Sequence, residues 1–313
     1  CAMVGNIGYS FARQIAEDPK ELYVVEISSF QLDDIVTFRP NVGVLLNITE
    51  DHLDRYEYQF ENYIRSKFRI AVNQTSKDHF IYNLDDEVII DFLSGTTILS
   101  NQIPISMKQE VKEGGSITGD EMNVNVNGEQ QSMSVYDFAL KGKHNQYNTM
   151  AACVAAATID IRKDKIREAV QTFQSLEHRM ESVATVRGVE FINDSKATNV
   201  NSTWYALESM TKPTVLVLGG IDKGNEYALI TELVKEKVKA IVCMGVDNKK
   251  IHDAFDGFIR VVDTASAEDA VQAAFEQASV GDVVLLSPAC ASFDLFKNYE
   301  DRGTRFKDAV KNL

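Results

Sequence analysis

The stretch Phe191-Ile192-Asn193-Asp194-Ser195-Lys196-Ala197-Thr198-Asn199 ends a short apolar run in a dense set of polar side chains. Its last seven positions, from Asn193 to Asn199, hold an acid, an amine, two hydroxyls and two amides. Open α/β sheets bind ligands in the loops that follow the carboxyl ends of their strands, so this pattern predicts a ligand loop. A hydrophilic turn that caps a helix starting at Asn201 or Ser202 explains the same residues, because Asp, Asn and Ser favour caps.

Apolar runs elsewhere in the chain predict an α/β protein. The runs Leu22–Ile27 and Val42–Ile48 are typical of parallel strands covered on both faces. Between residues 95 and 140, glycines and the Asn127-Gly128 turn signal predict a small antiparallel excursion from a mostly parallel sheet. After residue 176, strands alternate with helices, which predicts a doubly wound, Rossmann-like unit.

The length of 313 residues also suggests about two domains, which we place at residues 1–175 and 176–313. The predicted strands of the second domain are Val189–Ile192, Thr214–Leu218, Ala240–Met244, Arg260–Val262 and Val283–Leu286. The predicted helices of the chain include Phe60–Val72, Tyr147–Thr158, Lys163–Ser175, Tyr227–Glu236 and Ala267–Ala278.

Composition narrows the partners and the compartment. With 46 acidic and 32 basic residues the net charge is −14, which argues against nucleic acid because binding its phosphates needs basic surface. No apolar run approaches the roughly 20 residues that cross a bilayer. The four cysteines lack paired spacing for zinc or disulfides and three lie in apolar contexts, so we expect buried thiols and a cytoplasmic protein. The chain begins at Cys1 in apparently folded sequence, which suggests a fragment.

Two predicted strand ends carry groups that suit a metal ion or a phosphate. Glu26 ends the first run, with Ser28 and Gln31 close behind it. Carboxylate oxygens are ligands that Mg²⁺ prefers, and His52 lies in the acidic stretch that follows the second run. An ordinary strand-end acid and a structural histidine are the alternatives.

The remaining motifs lie later in the chain. Asn145 and Asn148 are three residues apart at a helix start, so both can face one ligand, although Asn145 could simply cap the helix. Arg179 suits purine stacking or phosphate pairing, or an interdomain salt bridge. Lys223 follows a glycine-rich turn and could bind a carboxylate. Cys290 lies among small residues after a strand, and a buried thiol is the simpler interpretation than a nucleophile, because no His and Asn partners accompany it.

Together these blocks resemble the Mur ligases, a resemblance that covers the chain from end to end and in the family's order. The matching pieces are Gly5-Asn6-Ile7-Gly8, Glu26–Leu32, Asn47–Arg55, Gly142–Asn148, His178-Arg179, Asn193–Asn199, Leu218–Lys223 and Ser287–Gly303. The resemblance implies a central ATPase-type domain and a C-terminal acceptor domain. It also implies that the polar run from Asn193 to Asn199 is a ligand loop.

The resemblance implies an ATP-dependent amide ligase of peptidoglycan synthesis that adds D-glutamate to UDP-N-acetylmuramoyl-L-alanine. ATP would phosphorylate the substrate carboxylate, and the amine of D-glutamate would attack the acyl phosphate. The implied partners are these small molecules, acting on a monomer with no membrane or nucleic-acid contact. The Asp-Asn-Pro-Arg acceptor motif of the diaminopimelate-adding ligase is absent, and the stretch Ser287–Phe293 favours the D-glutamate enzyme.

Site roles carry over residue by residue. The implied Mg²⁺ ligands are Glu26, His52 and Lys67, the last as a carbamylated lysine holding a second ion; by pattern alone Lys67 is a solvated helix residue. The implied ATP-binding residues are Asn145, Asn148, Arg179, Asp194 and Lys196. The implied residues for the UDP-muramoyl substrate and D-glutamate are Asn6, Ser28, Gln31, His52, Thr198, Lys223, Ser292, Phe293 and Tyr299. Catalysis would fall to Lys67, His52, Glu26 and Lys196. Tyr299 stands where the family usually has Phe.

One departure concerns the phosphate-binding P-loop, which should precede Gly5 and has no counterpart in this sequence. We therefore expect this chain, as written, to be inactive or nearly so. The alternatives left open are another Mur ligase, a folylpolyglutamate synthase, and a non-catalytic scaffold that kept the fold. A nicotinamide-dependent dehydrogenase is excluded, because no GxGxxG turn with an acidic ribose ligand is present.

Overall fold

The computed structural model describes residues 1–6, 9–140, 142–173 and 177–313. Ile7 and Gly8 of the first motif, and Ser175 and Leu176 at the expected domain boundary, lie outside the described residues. The chain divides into two compact units. The first unit is Cys1–Phe138 with Asn145–Thr172, and the second is Ala139–His144 with Phe173–Leu313. Within the described residues, no helix has the length and apolar character needed to cross a membrane.

The first unit is mixed α/β. Up to residue 172 the strands are β1 (Ala2–Gly5), β2 (Tyr23–Glu26), β3 (Val42–Leu45), β4 (His79–Asn83), β5 (Asn101–Ser106), β6 (Gly114–Thr118), β7 (Glu121–Val126) and β8 (Glu129–Ser134). The helices over the same part are α1 (Phe11–Glu17), α2 (Ser29–Asp33), α3 (Phe60–Phe68), α4 (Glu87–Ser94), α5 (Lys143–Thr158) and α6 (Lys163–Thr172).

Two sheets form among the described residues of the first unit. Strands β1 and β2 pair in parallel with each other, and the larger sheet has the order β3-β4-β5-β6-β7-β8. Strands β3 to β6 run parallel, and β7 and β8 join antiparallel at the edge. The antiparallel excursion is thus confirmed for β6–β8, but β5, which falls in the same stretch, belongs to the parallel part. The sequence pattern does not predict strand β4, because its apolar stretch is only Phe80–Tyr82, between the polar end residues His79 and Asn83.

The second unit is a doubly wound sheet, as the sequence predicts. Its strands are β9 (Glu181–Val186), β10 (Val189–Asn193), β11 (Thr214–Leu218), β12 (Val238–Met244), β13 (Arg260–Thr264) and β14 (Val283–Leu286). Its helices are α7 (Val200–Glu208), α8 (Thr231–Lys237), α9 (Lys249–Phe255), α10 (Ala267–Gln277) and α11 (Tyr299–Lys311). The described strands follow the order β13-β12-β11-β14-β10-β9, all parallel except the β9–β10 hairpin.

Two hydrophobic cores flank this sheet. One contains side chains of α7, α8 and α9, and the other contains side chains of α10 and α11. Every residue of β11 and β14 is buried, which explains why their continuous apolar runs predict the strand bounds correctly. Because β10, β11, β12 and β14 run parallel, the loops after their carboxyl ends lie along one edge of the sheet, where α/β proteins bind ligands.

The helix after the polar loop begins at Val200, one or two residues earlier than expected. Asn199 caps α7, and its Oδ1 accepts a hydrogen bond from the Ser202 N–H at 2.8 Å. The prediction of a start at Asn201 or Ser202 is therefore wrong, because an Asn side chain at Asn199 satisfies a free N–H of the first turn. The capping interpretation is confirmed for Asn199, the last residue of the stretch.

Candidate functional site

The loop after β10 is held by buried hydrogen bonds. Asn193 lies fully buried, and its Nδ2 donates to His178 Nδ1 at 2.9 Å and to Glu181 Oε2 at 3.0 Å. Its Oδ1 accepts from the Ser195 N–H at 3.1 Å. Burial lowers the pKa of His178, which favours a neutral ring that can accept this bond. The side chain of Asn193, the first amide of the polar stretch, therefore holds the loop in place through buried hydrogen bonds.

Asp194 also faces into the second unit. Its Oδ1 accepts from the Met180 N–H at 3.2 Å, and its Oδ2 accepts from the Ser287 hydroxyl at 3.1 Å. Desolvation raises the pKa of this carboxyl to about 7, although these hydrogen bonds and the charge of Arg179 act in the opposite direction. The carboxyl thus links the β10 and β14 loops. A role of Asp194 at ATP stays a prediction.

Lys196 and Tyr299 approach one another beside this loop. The Lys196 ammonium lies 3.4 Å from the Tyr299 hydroxyl and 4.8 Å from the centre of its ring. Tyr299 begins α11, so this helix starts next to the polar loop. Thr198 is exposed, and Arg179 is exposed in the segment before β9. The structure therefore brings together Lys196 and Tyr299 and leaves Thr198 and Arg179 accessible to a ligand.

Arg302 is the residue that pattern reasoning missed. It is fully buried, and its guanidinium donates to Ser195 Oγ at 3.0 Å, to Ser195 O at 2.8 Å and to Cys290 O at 3.1 Å. Desolvation lowers its pKa to about 10, so it remains charged at neutral pH. It therefore joins the β10 and β14 loops to α11.

The glycine that follows Arg302 offered a signal. A Cβ on Gly303 would lie 2.2 Å from His178 Nδ1, so any side chain there would displace the imidazole ring. The Arg-Gly pair thus marks the turn of α11 that packs directly against the segment before β9. The structural role of Arg302 and Gly303 follows from the side chains packed around this turn and not from the sequence motif.

The loops after β11 and β14 cross closely. A Cβ on Gly220 would lie 2.2 Å from Ala291 O, and Gly220 has φ 131°, so only glycine fits this crossing. Ile221 and Ala291 exchange backbone hydrogen bonds of 2.8 and 3.2 Å. This pairing holds the glycine-rich turn that carries Lys223 beside the segment of Ser292. Lys223 and Phe293 are exposed, whereas Ser292 is buried.

Cys290 is a buried thiol, which is the simpler of the two interpretations of its sequence context. It is buried, and desolvation raises the pKa of its thiol. Asn225 Nδ2 donates to its sulfur at 3.2 Å, and the Tyr227 hydroxyl lies 3.3 Å from it. Cys153 and Cys243 are likewise buried free thiols, so the expectation for the three apolar cysteines is confirmed.

In the first unit, the candidate residues lie at strand ends and in short helices. Gly5 at the end of β1 has φ 115°, and a Cβ there would lie 2.2 Å from Glu26 O. The next N–H, of Asn6, donates to Glu26 O at 2.8 Å. Both Asn6 and Glu26 are exposed. These two candidates are therefore adjacent, and their side chains are accessible.

Ser28 and Gln31 form a capping box at α2. Ser28 Oγ accepts from the Gln31 N–H at 3.3 Å, and Gln31 Oε1 accepts from the Ser28 N–H at 2.9 Å. These bonds satisfy free backbone groups at the start of the helix. Both side chains therefore have a structural role, and their contacts with substrate stay predictions.

His52 is held in the left-handed region at φ 53°, which is uncommon for a residue with a side chain. Its ring packs edge-on against Phe30 at 5.0 Å, and the Arg55 guanidinium lies 4.4 Å from the centre of the same Phe30 ring. The side chain of His52 is half exposed. The loop after β3 thus presents an oriented imidazole in a strained backbone conformation.

Lys67 differs from what its helical position suggests. It lies half-buried on α3, with its ammonium 5.2 Å from the centre of the Tyr63 ring. Desolvation lowers its pKa, while the negative charges of Asp51 and Glu26 raise it. The interpretation as a solvated residue is wrong, because the side chain is half-buried. Asp51 and Glu26 lie near enough for their charges to act on the Lys67 ammonium.

Asn145 and Asn148 share one face of α5, as their spacing predicts. Asn148 Nδ2 donates to Asn145 Oδ1 at 3.5 Å, and Asn145 is buried. Because α5 begins at Lys143, Asn145 lies within the first turn. The alternative that Asn145 caps the helix is therefore wrong.

The family model described as the Mur ligase middle domain matches residues 7–156, and the Mur ligase, glutamate ligase domain matches residues 178–290. The chain is 52% identical over 312 residues to the UDP-N-acetylmuramoylalanine–D-glutamate ligase of Christiangramia forsetii, covering 99% of this chain and 70% of that protein. It is 50% identical over 315 residues to the protein of the same name from Porphyromonas gingivalis, with the same coverage.

Solved structures show the same fold at lower identity. The MurF ligase from Thermotoga maritima in complex with ADP matches with a TM-score of 0.68 and 14% identity, over 99% of this chain and 80% of that chain. The chain spans about 70% of the length of the relatives that it matches. With two consecutive domain models matched and half of its residues identical to those relatives, the chain belongs to the Mur ligase family.

Proposed function

We propose that this chain belongs to an ATP-dependent ligase that joins D-glutamate to UDP-N-acetylmuramoyl-L-alanine. The observation that carries the proposal is an identity of 50–52% to proteins of that name over 99% of the chain. The amide bond forms in two steps. ATP transfers its terminal phosphoryl group to the substrate carboxylate, and the amine of D-glutamate then attacks the acyl phosphate, which releases phosphate.

The first unit is proposed to bind Mg²⁺ and the UDP-muramoyl substrate. The grouping of Glu26, Asp51 and Lys67 fits a divalent ion, because the charges of both acids already act on Lys67. His52 adds an oriented nitrogen donor, and Asn6 is exposed next to Glu26. When bound, Mg²⁺ would supply charge neutralisation for phosphoryl transfer. These residues of the first unit would orient the substrate carboxylate that is phosphorylated.

Lys67 is proposed to be carbamylated. A neutral amine adds to CO₂, the new N–C bond forms, and the amine proton leaves to solvent. Desolvation lowers the pKa of Lys67 and so increases the fraction of neutral amine. The product carries two oxygens in place of a cation, which suits hard metal ligation. The sequence pattern of α3 alone predicts no such role for Lys67.

The second unit is proposed to bind D-glutamate and part of ATP. Lys223 is exposed on the turn after β11, where its charge can pair with an amino-acid carboxylate. Thr198 and Phe293 are exposed on the neighbouring loops. Ser292 is buried and directly follows Ala291, the residue that packs against Gly220. Tyr299 keeps an aromatic ring at its position and adds a hydroxyl that contacts Lys196. Arg179, Asp194 and Lys196 are proposed as ATP-binding residues of this unit. Asn145 and Asn148 are proposed as ATP-binding residues of the first unit.

The test is acceptor selectivity, measured with the complete gene product that contains this chain. Phosphate release is followed with UDP-N-acetylmuramoyl-L-alanine and MgATP, and D-glutamate is compared with L-glutamate, D-aspartate, L-lysine and meso-diaminopimelate. We expect turnover with D-glutamate and a rise in its KM for Lys223→Ala, with the KM for ATP unchanged. Preference for another amino acid would assign another ligase activity, and no turnover with any acceptor would favour a scaffold.

Monomeric state and cytoplasmic location stay predictions from the sequence. Sedimentation of the complete protein tests the first, and fractionation of the source cells tests the second.

A further inference from the structure

Three metal-ligating side chains meet at the carboxyl edge of the second unit's sheet. They are Cys243 on β12, His252 on α9 and Asp263 on β13, and one ligand atom of each lies within 4.8 Å of the others. Cys243 and Asp263 are register partners on adjacent parallel strands, so their side chains project from the same face of the sheet. Helix α9 covers that face, because Ile251 and Phe255 pack in the same core as Cys243.

The histidine in this cluster is oriented by two carboxylates. His252 Nδ1 lies 2.9 and 3.0 Å from the oxygens of Asp256, and Nε2 lies 3.1 Å from both oxygens of Asp263. A neutral imidazole has one N–H, so it can serve only one of these carboxylates as a donor. If Asp256 accepts the proton of Nδ1, the lone pair of Nε2 points at Asp263. The hydrogen bonds to Asp263 and Asp256 raise the pKa of His252, so a second proton can lie between Nε2 and Asp263, and a metal cation can take the place of that proton.

This arrangement is the one that metal-binding histidines use. Such a histidine donates its other N–H to a carboxylate, which fixes the tautomer and orients the ring. Asp256 fills that role, and Asp263 is itself oriented by Asn248, whose Nδ2 donates to Asp263 Oδ1 at 2.9 Å. A metal ion about 2.1 Å from both Nε2 and an oxygen of Asp263 is compatible with the 3.1 Å between those atoms.

An entry route is also present. A cavity of about 500 Å³ opens on His252 and Asp263, and Asn248, Asp269 and Lys249 also line it. Lys249 is the cation on this wall, and its ammonium pairs with Asp253 at 2.9 Å. The cavity leaves room for water to complete the coordination of an ion that reaches the three side chains.

We propose that Cys243, His252 and Asp263 bind a Zn²⁺-type divalent cation. Sulfur, imidazole nitrogen and one carboxylate oxygen form the donor set of zinc and of similar borderline-soft metals, whereas Mg²⁺ prefers oxygen. On binding, the thiol proton leaves to solvent and a sulfur–metal bond forms. The site is separate from the Mg²⁺ ligands proposed in the first unit.

Such an ion would join β12, β13 and α9 beside the turn that carries Lys223. Asp222 of that turn pairs with Lys250 of α9 at 2.7 Å. A Cβ on Gly219 would lie 3.0 Å from the Met244 N, so the turn also packs directly against the end of β12. Metal binding would therefore stabilise the segment on which the proposed acceptor turn rests.

The proposal is tested with chelator-treated protein titrated with Co²⁺ and then with Zn²⁺. We expect one Co²⁺ per chain, a near-ultraviolet thiolate-to-cobalt band, and displacement of Co²⁺ by Zn²⁺. Cys243→Ser should abolish the band, and His252→Ala and Asp263→Asn should each weaken Zn²⁺ binding more than a hundredfold. Asp256→Ala, which removes the partner of Nδ1, should weaken it by about 10–100-fold.

Two variants serve as matched controls. Cys1→Ser removes the exposed thiol at the start of the chain, and Asp253→Asn removes an exposed acid of α9. Both should keep the band and the zinc affinity. Absence of a thiolate band in the unaltered chain, or unchanged zinc affinity in His252→Ala, would overturn the proposal. If Cys243→Ser does not fold, the two surface variants His252→Ala and Asp263→Asn decide the result.

Discussion

The two units present their candidate ligand residues in opposite ways. In the second unit, the loop after β10 is held by buried side chains, with Asn193, Asp194 and Ser195 all bonded inside the protein. Among the Mg²⁺ ligands proposed in the first unit, Glu26 and His52 are exposed and Lys67 is half-buried. The loop after β10 is therefore part of the packed interior of the second unit, whereas the proposed Mg²⁺ ligands of the first unit are accessible to a ligand or metal.

This difference predicts where substitutions act. In the second unit, changes at the site should cost folding stability because the same groups support neighbouring loops. In the first unit, they should cost activity and leave stability nearly unchanged. Trp204, the single tryptophan of the chain, lies on α7 and reports unfolding of the second unit by its fluorescence.

The largest effect is expected from Arg302→Met. The substitution leaves Ser195 O and Cys290 O as buried acceptors without a donor, which should destabilise the second unit by about 3–5 kcal/mol. Guanidinium unfolding followed by Trp204 fluorescence measures the loss. Arg305→Met on the same helix removes only an exposed ion pair with Asp301 and should change stability by less than about 0.5 kcal/mol. A loss below about 1 kcal/mol in Arg302→Met would contradict the conclusion that Arg302 joins the β10 and β14 loops to α11.

Lys67→Ala tests the first unit in the complete enzyme. Loss of a proposed ligand of the Mg²⁺ that would neutralise charge on the transferring phosphoryl group should lower kcat about 100- to 1,000-fold. Lys67→Arg should fare no better, because a guanidinium stays protonated and cannot form a carbamate. Arg65→Ala, an exposed residue of the same helix paired with Glu61, is the control and should keep kcat. Turnover of Lys67→Arg within a few-fold of the unaltered enzyme would exclude the carbamate.

Asp194 should make the second unit less stable as the pH rises. Its pKa in the folded state, about 7, lies above the ordinary value of 3.8, so the folded state holds a proton that the unfolded state has lost. The resulting stabilisation is complete below about pH 4 and disappears as the pH rises through 7. Between pH 5 and pH 7 the free energy of unfolding should fall by about 2 kcal/mol.

Asp194→Asn is the control for this pH dependence. Asn keeps an oxygen for the Met180 N–H and does not titrate, so the fall between pH 5 and pH 7 should be absent. Trp204 fluorescence during guanidinium unfolding at several pH values gives the comparison. An equal slope in the variant would show that another group titrates.

The smallest effect concerns the helix cap. Asn199→Ala removes the acceptor for the Ser202 N–H and should cost about 1 kcal/mol. Asn201→Ala, inside the first turn of α7, should cost less, since its side chain caps nothing in the described hydrogen bonds. A larger loss of unfolding free energy in Asn201→Ala than in Asn199→Ala would support the later helix start that the sequence pattern suggests.

Sequence reasoning went furthest where burial is uniform. The bounds of β11 and β14 followed from continuous apolar runs, because both faces of these strands are covered. It failed at β4, whose polar residues break the run, and at Lys67, whose helix gives no sign of the acids packed near it. The inward direction of Asp194 was equally hidden, since a polar residue after a strand can point either way.

The sequence by itself determined the order of strands and motifs, and with it the family, because apolar periodicity and local polar stretches are properties of neighbouring residues. Only the tertiary structure decided which polar groups are buried and which meet. Arg302 reaches Ser195 and Cys290 through packing of α11. Cys243 and Asp263 meet because β12 and β13 pair in register, a relation that spacing along the chain does not encode.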